Sequence, residues 1–98
     1  MSLPVILRPK AESDLVAAHR WYEDRLPGLG DRLLEQVELA LLRLAEHPEA
    51  WATVHRNVRR AILRSFPYAL FYLVEPERVV VLAVLHQAQD PERWTHLE

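Results

Sequence analysis

Two apolar strands that follow one another in the second half of the chain constrain the fold most. Tyr68 to Val74 reads Tyr-Ala-Leu-Phe-Tyr-Leu-Val, and Arg78 to His86 is almost wholly Val and Leu. In a strand, alternate residues face opposite sides of the sheet. Tyr68, Leu70, Tyr72 and Val74 therefore share one face, and Ala69, Phe71 and Leu73 the other. The last strand sets Val80, Leu82 and Val84 against Val79, Val81, Ala83 and Leu85, again apolar on both sides. A sheet with one wet face would alternate with polar residues. Val58 to Leu63 supplies a further, basic strand. Pro67 separates it from the next, and Glu75-Pro76-Glu77 forms the following turn. Connections this short make the three strands antiparallel neighbours.

The first half supplies one short strand and two helices. Pro4 to Leu7 is an apolar run, and Pro9 fits the first turn of a helix, where its missing N–H costs nothing. Ala11, Leu15, Ala18 and Tyr22 recur at spacings of four, three and four, the signature of one helix face. Leu26-Pro27-Gly28-Leu29-Gly30 is the stop, and it holds both glycines of the chain. A second helix is predicted from Asp31 to Glu46, with Leu33, Leu34, Val37, Ala40, Leu41, Leu44 and Ala45 as a wide stripe that Leu39 and Leu42 broaden. So tight a corner makes the two helices an antiparallel hairpin. The fold class is α+β: an antiparallel sheet in the order β-α-α-β-β-β with a two-helix hairpin on one face, residues 1–98 as a single domain. One hairpin covers one sheet face. The other either meets a partner, with self-association in its absence, or is closed by curling of the sheet and by the tail from Asp90.

Charge is uneven along the chain. Residues 1–49 carry nine acids against six bases, whereas 50–74 hold no acid and place Arg56, Arg59, Arg60 and Arg64 within nine positions. The net charge of −2 argues against a general nucleic-acid binder, and the basic stretch suits phosphates or an acidic protein partner. With no cysteine there is no disulfide framework, thiolate metal site or cysteine nucleophile. No apolar run approaches the roughly 18–20 residues that span a bilayer, and the start lacks the regions of a signal peptide, so a cytoplasmic location is expected.

Individual residues carry more than one reading. His86 ends a buried strand and is the candidate general acid or base, or else it caps the strand end by a hydrogen bond to the backbone. Arg59, Arg60 and Arg64 suit phosphates, an acidic partner segment or a solvated edge; on a strand Arg60 and Arg64 share a face and Arg59 points away. Trp21 and Tyr22 lie on adjacent sides of the first helix, one in the core and one at its rim. The five histidines, His19, His47, His55, His86 and His96, show no metal-ligand spacing, so no metal is expected. Nor does any phosphate loop, nucleophile elbow or dinucleotide fingerprint occur, and no cofactor is expected.

The pieces fall in a familiar order. Ala11 to Leu15, Trp21-Tyr22-Glu23, Pro27 to Gly30, Val58-Arg59-Arg60, Phe66-Pro67-Tyr68, Tyr72-Leu73-Val74, His86 and Asp90-Pro91 with Trp94 resemble, in sequence and spacing, the ParE/RelE family of toxins from bacterial toxin–antitoxin pairs. The resemblance spans nearly the whole chain; the ordered set is specific where no single piece is. It implies two helices on one face of an antiparallel sheet, and an antitoxin that wraps the toxin with its C-terminal segment. RelE-like members are ribosome-dependent messenger-RNA endonucleases, and ParE-like members inhibit DNA gyrase. The nucleases place an arginine after the tyrosine that opens the middle strand, a basic residue after the last strand, and a tyrosine or histidine near the C-terminus. Here those positions hold Ala69 and Gln89, and the tail supplies Trp94 and His96. The likeness is therefore closer to ParE. It implies that Arg59, Arg60, Arg64, Tyr68 and Trp94 contact a target or antitoxin, with His86 catalytic under the nuclease reading. An antitoxin-binding member without toxic activity is the third reading.

Overall fold

The computed structural model describes residues 2–88. In chain order the elements are β1 (Val5–Leu7), α1 (Pro9–Arg25), α2 (Leu29–Glu46), β2 (Thr53–His55), β3 (Val58–Ile62), β4 (Tyr68–Val74) and β5 (Val79–His86). They form a five-stranded sheet of order β1-β5-β4-β3-β2, with both helices packed on one face. The α+β class and the helical hairpin agree with the sequence, and β4 begins and ends where its residues predict.

Three features differ from expectation. The sheet is mixed, because β1 pairs parallel with β5 through Val5–Val79, Ile6–Val80 and Leu7–Val81. A parallel neighbour needs a long crossover, and here the whole chain between the two strands provides it. The segment after Trp51 carries the additional strand β2, joined to β3 by a two-residue turn in which Arg56 takes φ 50°. Turns of this length normally show glycine at the left-handed position, and this one does not, so the sequence gives no hairpin signal. Finally, α2 starts at Leu29 rather than Asp31, which puts Gly30 inside the helix. A Cβ there would lie 2.5 Å from the His19 carbonyl oxygen and 2.6 Å from Glu23 Cγ, so this glycine sets how closely the two helices approach.

The first helix buries Ala11 and Ala18, with Leu15 and Tyr22 partly buried beside them. The second buries Leu33, Val37, Ala40 and Leu44 along one stripe. Leu39 and Leu42 do not broaden that stripe; they are 48% and 61% exposed on the solvent side. These helical residues meet Leu70, Tyr72, Val79, Val81 and Val84 in the main core.

The centre of the other sheet face is buried, while Ile6 and Ile62 on its outer strands are 39% and 48% exposed. Val58, Ala69, Phe71, Val80, Leu82, Ala83 and Leu85 form a second cluster, none more than 5% exposed, against which Val54 of β2 and Leu73 pack. The wholly uncovered face expected from the two-helix count is therefore corrected at its centre. The tail from Asp90 invoked in the alternative lies outside the described residues.

A β-bulge redistributes β5 between these faces. Phe71 pairs with Ala83 and Tyr72 with Val81, which leaves Leu82 as an extra residue. Strict alternation would put Val84 with Val80 and Leu82. Instead Val84 joins Val79 and Val81 under the helices, and Leu82 and Ala83 both face the second cluster. Bulges re-aim side chains in this way. The residue that gains most is His86, two positions beyond Val84, which shares the helical side of the sheet.

Candidate functional site

His86 lies opposite Tyr68 in the β4–β5 ladder, their rings 5.2 Å apart and edge to face. The two line a cleft of about 360 Å³ with Asp14, Ala17, Ala18, Trp21, Val84 and Leu85. Helix α1 builds the opposite wall from one flank, since Asp14, Ala17, Ala18 and Trp21 stand three, four and seven positions apart. Asp14 also closes the sheet. The pairing of β1 with β5 ends at Val81, and beyond it the Val84 N–H donates to Asp14 Oδ2 at 2.9 Å. A buried ladder N–H without a partner would be costly, so this carboxylate does the work of a missing strand. Lys10, one turn earlier, reaches the same carboxylate at 3.0 Å.

An aromatic chain leads into the cleft from the core. Trp21 meets Tyr22 at 4.9 Å, and Tyr22 meets Phe66 at 5.1 Å and Tyr68 at 6.1 Å. Tyr22 is the core member of its pair and Trp21 the half-exposed one. Burial raises the Tyr68 hydroxyl above the usual tyrosine range, with Tyr22 and Asp14 adding to it, so it stays protonated in the neutral range. Nδ1 of His86 accepts the Ala88 N–H at 2.9 Å, which is the strand-end cap. A ring nitrogen that accepts carries no proton, so the ring proton of neutral His86 sits on Nε2.

The arginines do not gather around His86. Arg59 pairs across to Tyr72 on the helical side, and its Nη1 donates to the Trp51 and Glu49 carbonyls, the latter at 3.3 Å. Its neighbour Tyr72 donates its hydroxyl to the Pro48 carbonyl at 2.8 Å. Together they pin the loop between α2 and β2. Arg60 is exposed and pairs with Phe71, facing the opposite side. Arg64 follows the end of β3 in the bend before β4, exposed at the His86 end of the sheet. Arg56 sits in the turn at the other end of β3. Four arginines close in sequence are thus spread over both ends and both faces of one strand. Trp94, Gln89 and His96 lie outside the described residues.

Ala69, where the RelE-like pattern has an arginine, is 1% exposed inside the second cluster and pairs with Leu85. The sequence reasoning missed Asp14 as a site residue. Its signal was present but weak: an acid on the same helix flank as Ala17, Ala18 and Trp21. It also missed a grouping at the helical corner, where donor atoms of His19, Glu23 and Asp31 lie within 4.8 Å of one another. These groups are already engaged. Glu23 accepts the N–H groups of Gly28 at 3.0 Å and Asp31 at 3.1 Å, and His19 Nε2 meets Asp31 Oδ1 at 2.9 Å. The first residue of α2 has no side-chain cap of its own, and Glu23 provides one from the preceding helix.

This architecture is that of the toxin subunits of toxin–antitoxin pairs. A ParDE toxin–antitoxin system from Pseudomonas aeruginosa contains a chain that superposes with a TM-score of 0.76 at 18% identity, covering 87% of this chain and 96% of that one. The free Escherichia coli toxin RelE, in a variant form, superposes with a TM-score of 0.72 at 22% identity over 99% and 95% of the two chains. At such identities the likeness is one of fold. Sequence goes further: residues 5–91 match the model of the ParE toxin of type II toxin–antitoxin systems, parDE. Toxin ParE2 of Mycobacterium tuberculosis is 33% identical over 81 residues, 82% of this chain and 77% of that protein. The chain belongs to the ParE toxin family. No helix among the described residues is long and apolar enough to cross a membrane.

Proposed function

We propose that this toxin acts by binding and inhibiting a macromolecular target, with DNA gyrase the first candidate, and that a cognate antitoxin neutralises it. The observation that carries this reading is Ala69. Cleavage of RNA through its 2′-hydroxyl needs cations at the scissile phosphate and a group to move the proton. The position after Tyr68 instead holds a methyl group packed into the second cluster. His86 has a structural role in place of a catalytic one, since its Nδ1 accepts the Ala88 N–H in the strand-end cap. Arg59 is committed to the loop carbonyls.

Expression without antitoxin should then stop growth, and the purified protein should inhibit supercoiling by gyrase while leaving messenger RNA intact on translating ribosomes. His86→Ala should keep the growth arrest. Messenger cleavage that His86→Ala abolishes would establish the ribosome-dependent endonuclease reading instead, and unimpeded growth would favour a member that only binds antitoxin.

With the centre of the second sheet face buried, the helical side offers an apolar surface to an antitoxin. A groove of about 420 Å³ is lined by Leu3, Val5, Leu41, Leu42 and Ala45 with Glu38 at its side, and exposed Leu39 lies nearby on the same helix. Leu42→Glu should weaken antitoxin co-purification without relieving growth arrest.

A further inference from the structure

The cleft between α1 and the end of β5 has a lining that selects a particular chemistry. Its walls are a carboxylate, Asp14, and the rings of Trp21, Tyr68 and His86, and the small side chains of Ala17 and Ala18 leave it room. The carboxylate is fixed by the backbone rather than by a mobile side chain, since the Val84 N–H holds Oδ2 at 2.9 Å. The Asp14 side chain is only 20% exposed, whereas Lys10, its neighbour at 3.0 Å, is 53% exposed. An exposed lysine one helical turn away makes a weak pair that water and other cations compete with. Trp21 already shows what its ring accepts: the Arg25 guanidinium lies 3.2 Å from the ring centroid. An anion is disfavoured by Asp14, and a metal ion by there being one carboxylate in the lining.

We propose that this cleft takes the guanidinium of an arginine presented by a protein partner, its N–H edge on Asp14 and its planar face against the aromatic wall. A guanidinium suits such a site better than an ammonium, because it offers a fork of donors to a carboxylate and a flat face to a ring. The inference rests on the reading of this chain as a binding protein for its biological meaning alone; the chemistry stands or falls separately. It also makes Asp14 a specificity-determining residue rather than a helix-surface acid.

The test titrates isotope-labelled protein with Nα-acetyl-L-argininamide and with the citrulline amide, which has the same shape and no charge. The arginine derivative should shift the Val84 amide and the Trp21 indole N–H saturably, and the citrulline derivative should bind about tenfold more weakly or less. Asp14→Asn, which keeps an acceptor for the Val84 N–H, should erase that preference. If this variant fails to fold, half-exposed Trp21→Leu should weaken arginine binding in a folded protein. Equal response to the two probes, no shift at Val84 and Trp21, or a preference that survives both substitutions would overturn the proposal. None of these outcomes depends on growth arrest or on gyrase.

Discussion

Tyr72 ties the sheet to the loop that follows α2. Fully buried at the centre of β4, it packs in the main core and sends its hydroxyl out to the Pro48 carbonyl at 2.8 Å. Tyr72→Phe keeps the ring and leaves that carbonyl short of a partner, so it should cost about 1 kcal/mol and lower the melting temperature by roughly 4–8 °C in a urea and thermal series. Burial pushes this hydroxyl up to about 12 from 10.0, with Arg59 opposing. The unfolded chain then releases the proton first. The contribution of Tyr72 is complete below pH 10 and declines as pH rises from there to about 12, and Phe at this position should remove that part of the decline. Glu23 behaves in the opposite sense. Its carboxyl is held below its usual 4.5, first by the Gly28 N–H and also by the Asp31 and Gly30 N–H groups. A depressed acid stabilises above its unfolded value and stops doing so as pH falls past it. Glu23→Gln should therefore flatten the loss of thermal stability on acidification below about pH 4.5; an unchanged acid limb would show that the cap contributes nothing. Neither residue was legible in these roles from the sequence, because each acts on backbone groups many positions away.

At the scale of elements, regular spacing made the helices legible and irregular backbone hid the rest. The three-four spacing of α1 and the leucine stripe of α2 located both helices, and Tyr68 to Val74 gave β4 to the residue. The bulge in β5 has no sequence signature, since Leu82 is one of seven successive apolar residues, and alternation alone assigned Val84 to the wrong face. Strand β2 was hidden for a related reason: it is three residues long, and its turn uses Arg56 where glycine would have announced it. The role of Gly30 was read as punctuation when it is packing. Gly30→Ala gains about 1 kcal/mol of helix propensity but sets a methyl group within 3 Å of the His19 carbonyl oxygen and of Glu23. Backbone cannot swing aside as a side chain can, and overpacking of this kind costs about 1–3 kcal/mol. The substitution should come out destabilising in denaturant melts, and a gain in stability would mean that the helices are free to separate.

For the whole molecule, the strand order makes the start of the chain an integral part of the sheet although it is 74 residues from its partner in sequence (Val5 against Val79). Strand β5 is interior only because β1 lies beside it. The sequence showed an apolar run at Pro4 to Leu7 but not where it goes, since three residues carry no record of a parallel partner at the far end of the chain. The same short segment fastens both layers. The Leu3 N–H donates to the Ala45 carbonyl at the end of α2, the Val79 N–H to the Pro4 carbonyl, and the Arg8 N–H to the Val81 carbonyl, at 2.9, 2.9 and 3.0 Å. Removing residues 2–7 would leave the Val79–Val81 edge open beside the cleft that Asp14 closes one step further along. At least two backbone hydrogen bonds are lost with Leu3 and Pro4, about 0.5–1.5 kcal/mol each, together with the packing of Leu3, Val5 and Leu7 against the main core. The truncated chain should lose several kcal/mol of stability, a large share of the roughly 5–15 kcal/mol typical of a domain. Hydrogen exchange should register the loss first at Val79 to Val81 and then at Val84, whose N–H bond to Asp14 depends on α1 staying docked. Protection at Val84 that outlasts protection at Val79 would show instead that Asp14 holds the end of β5 without help from β1.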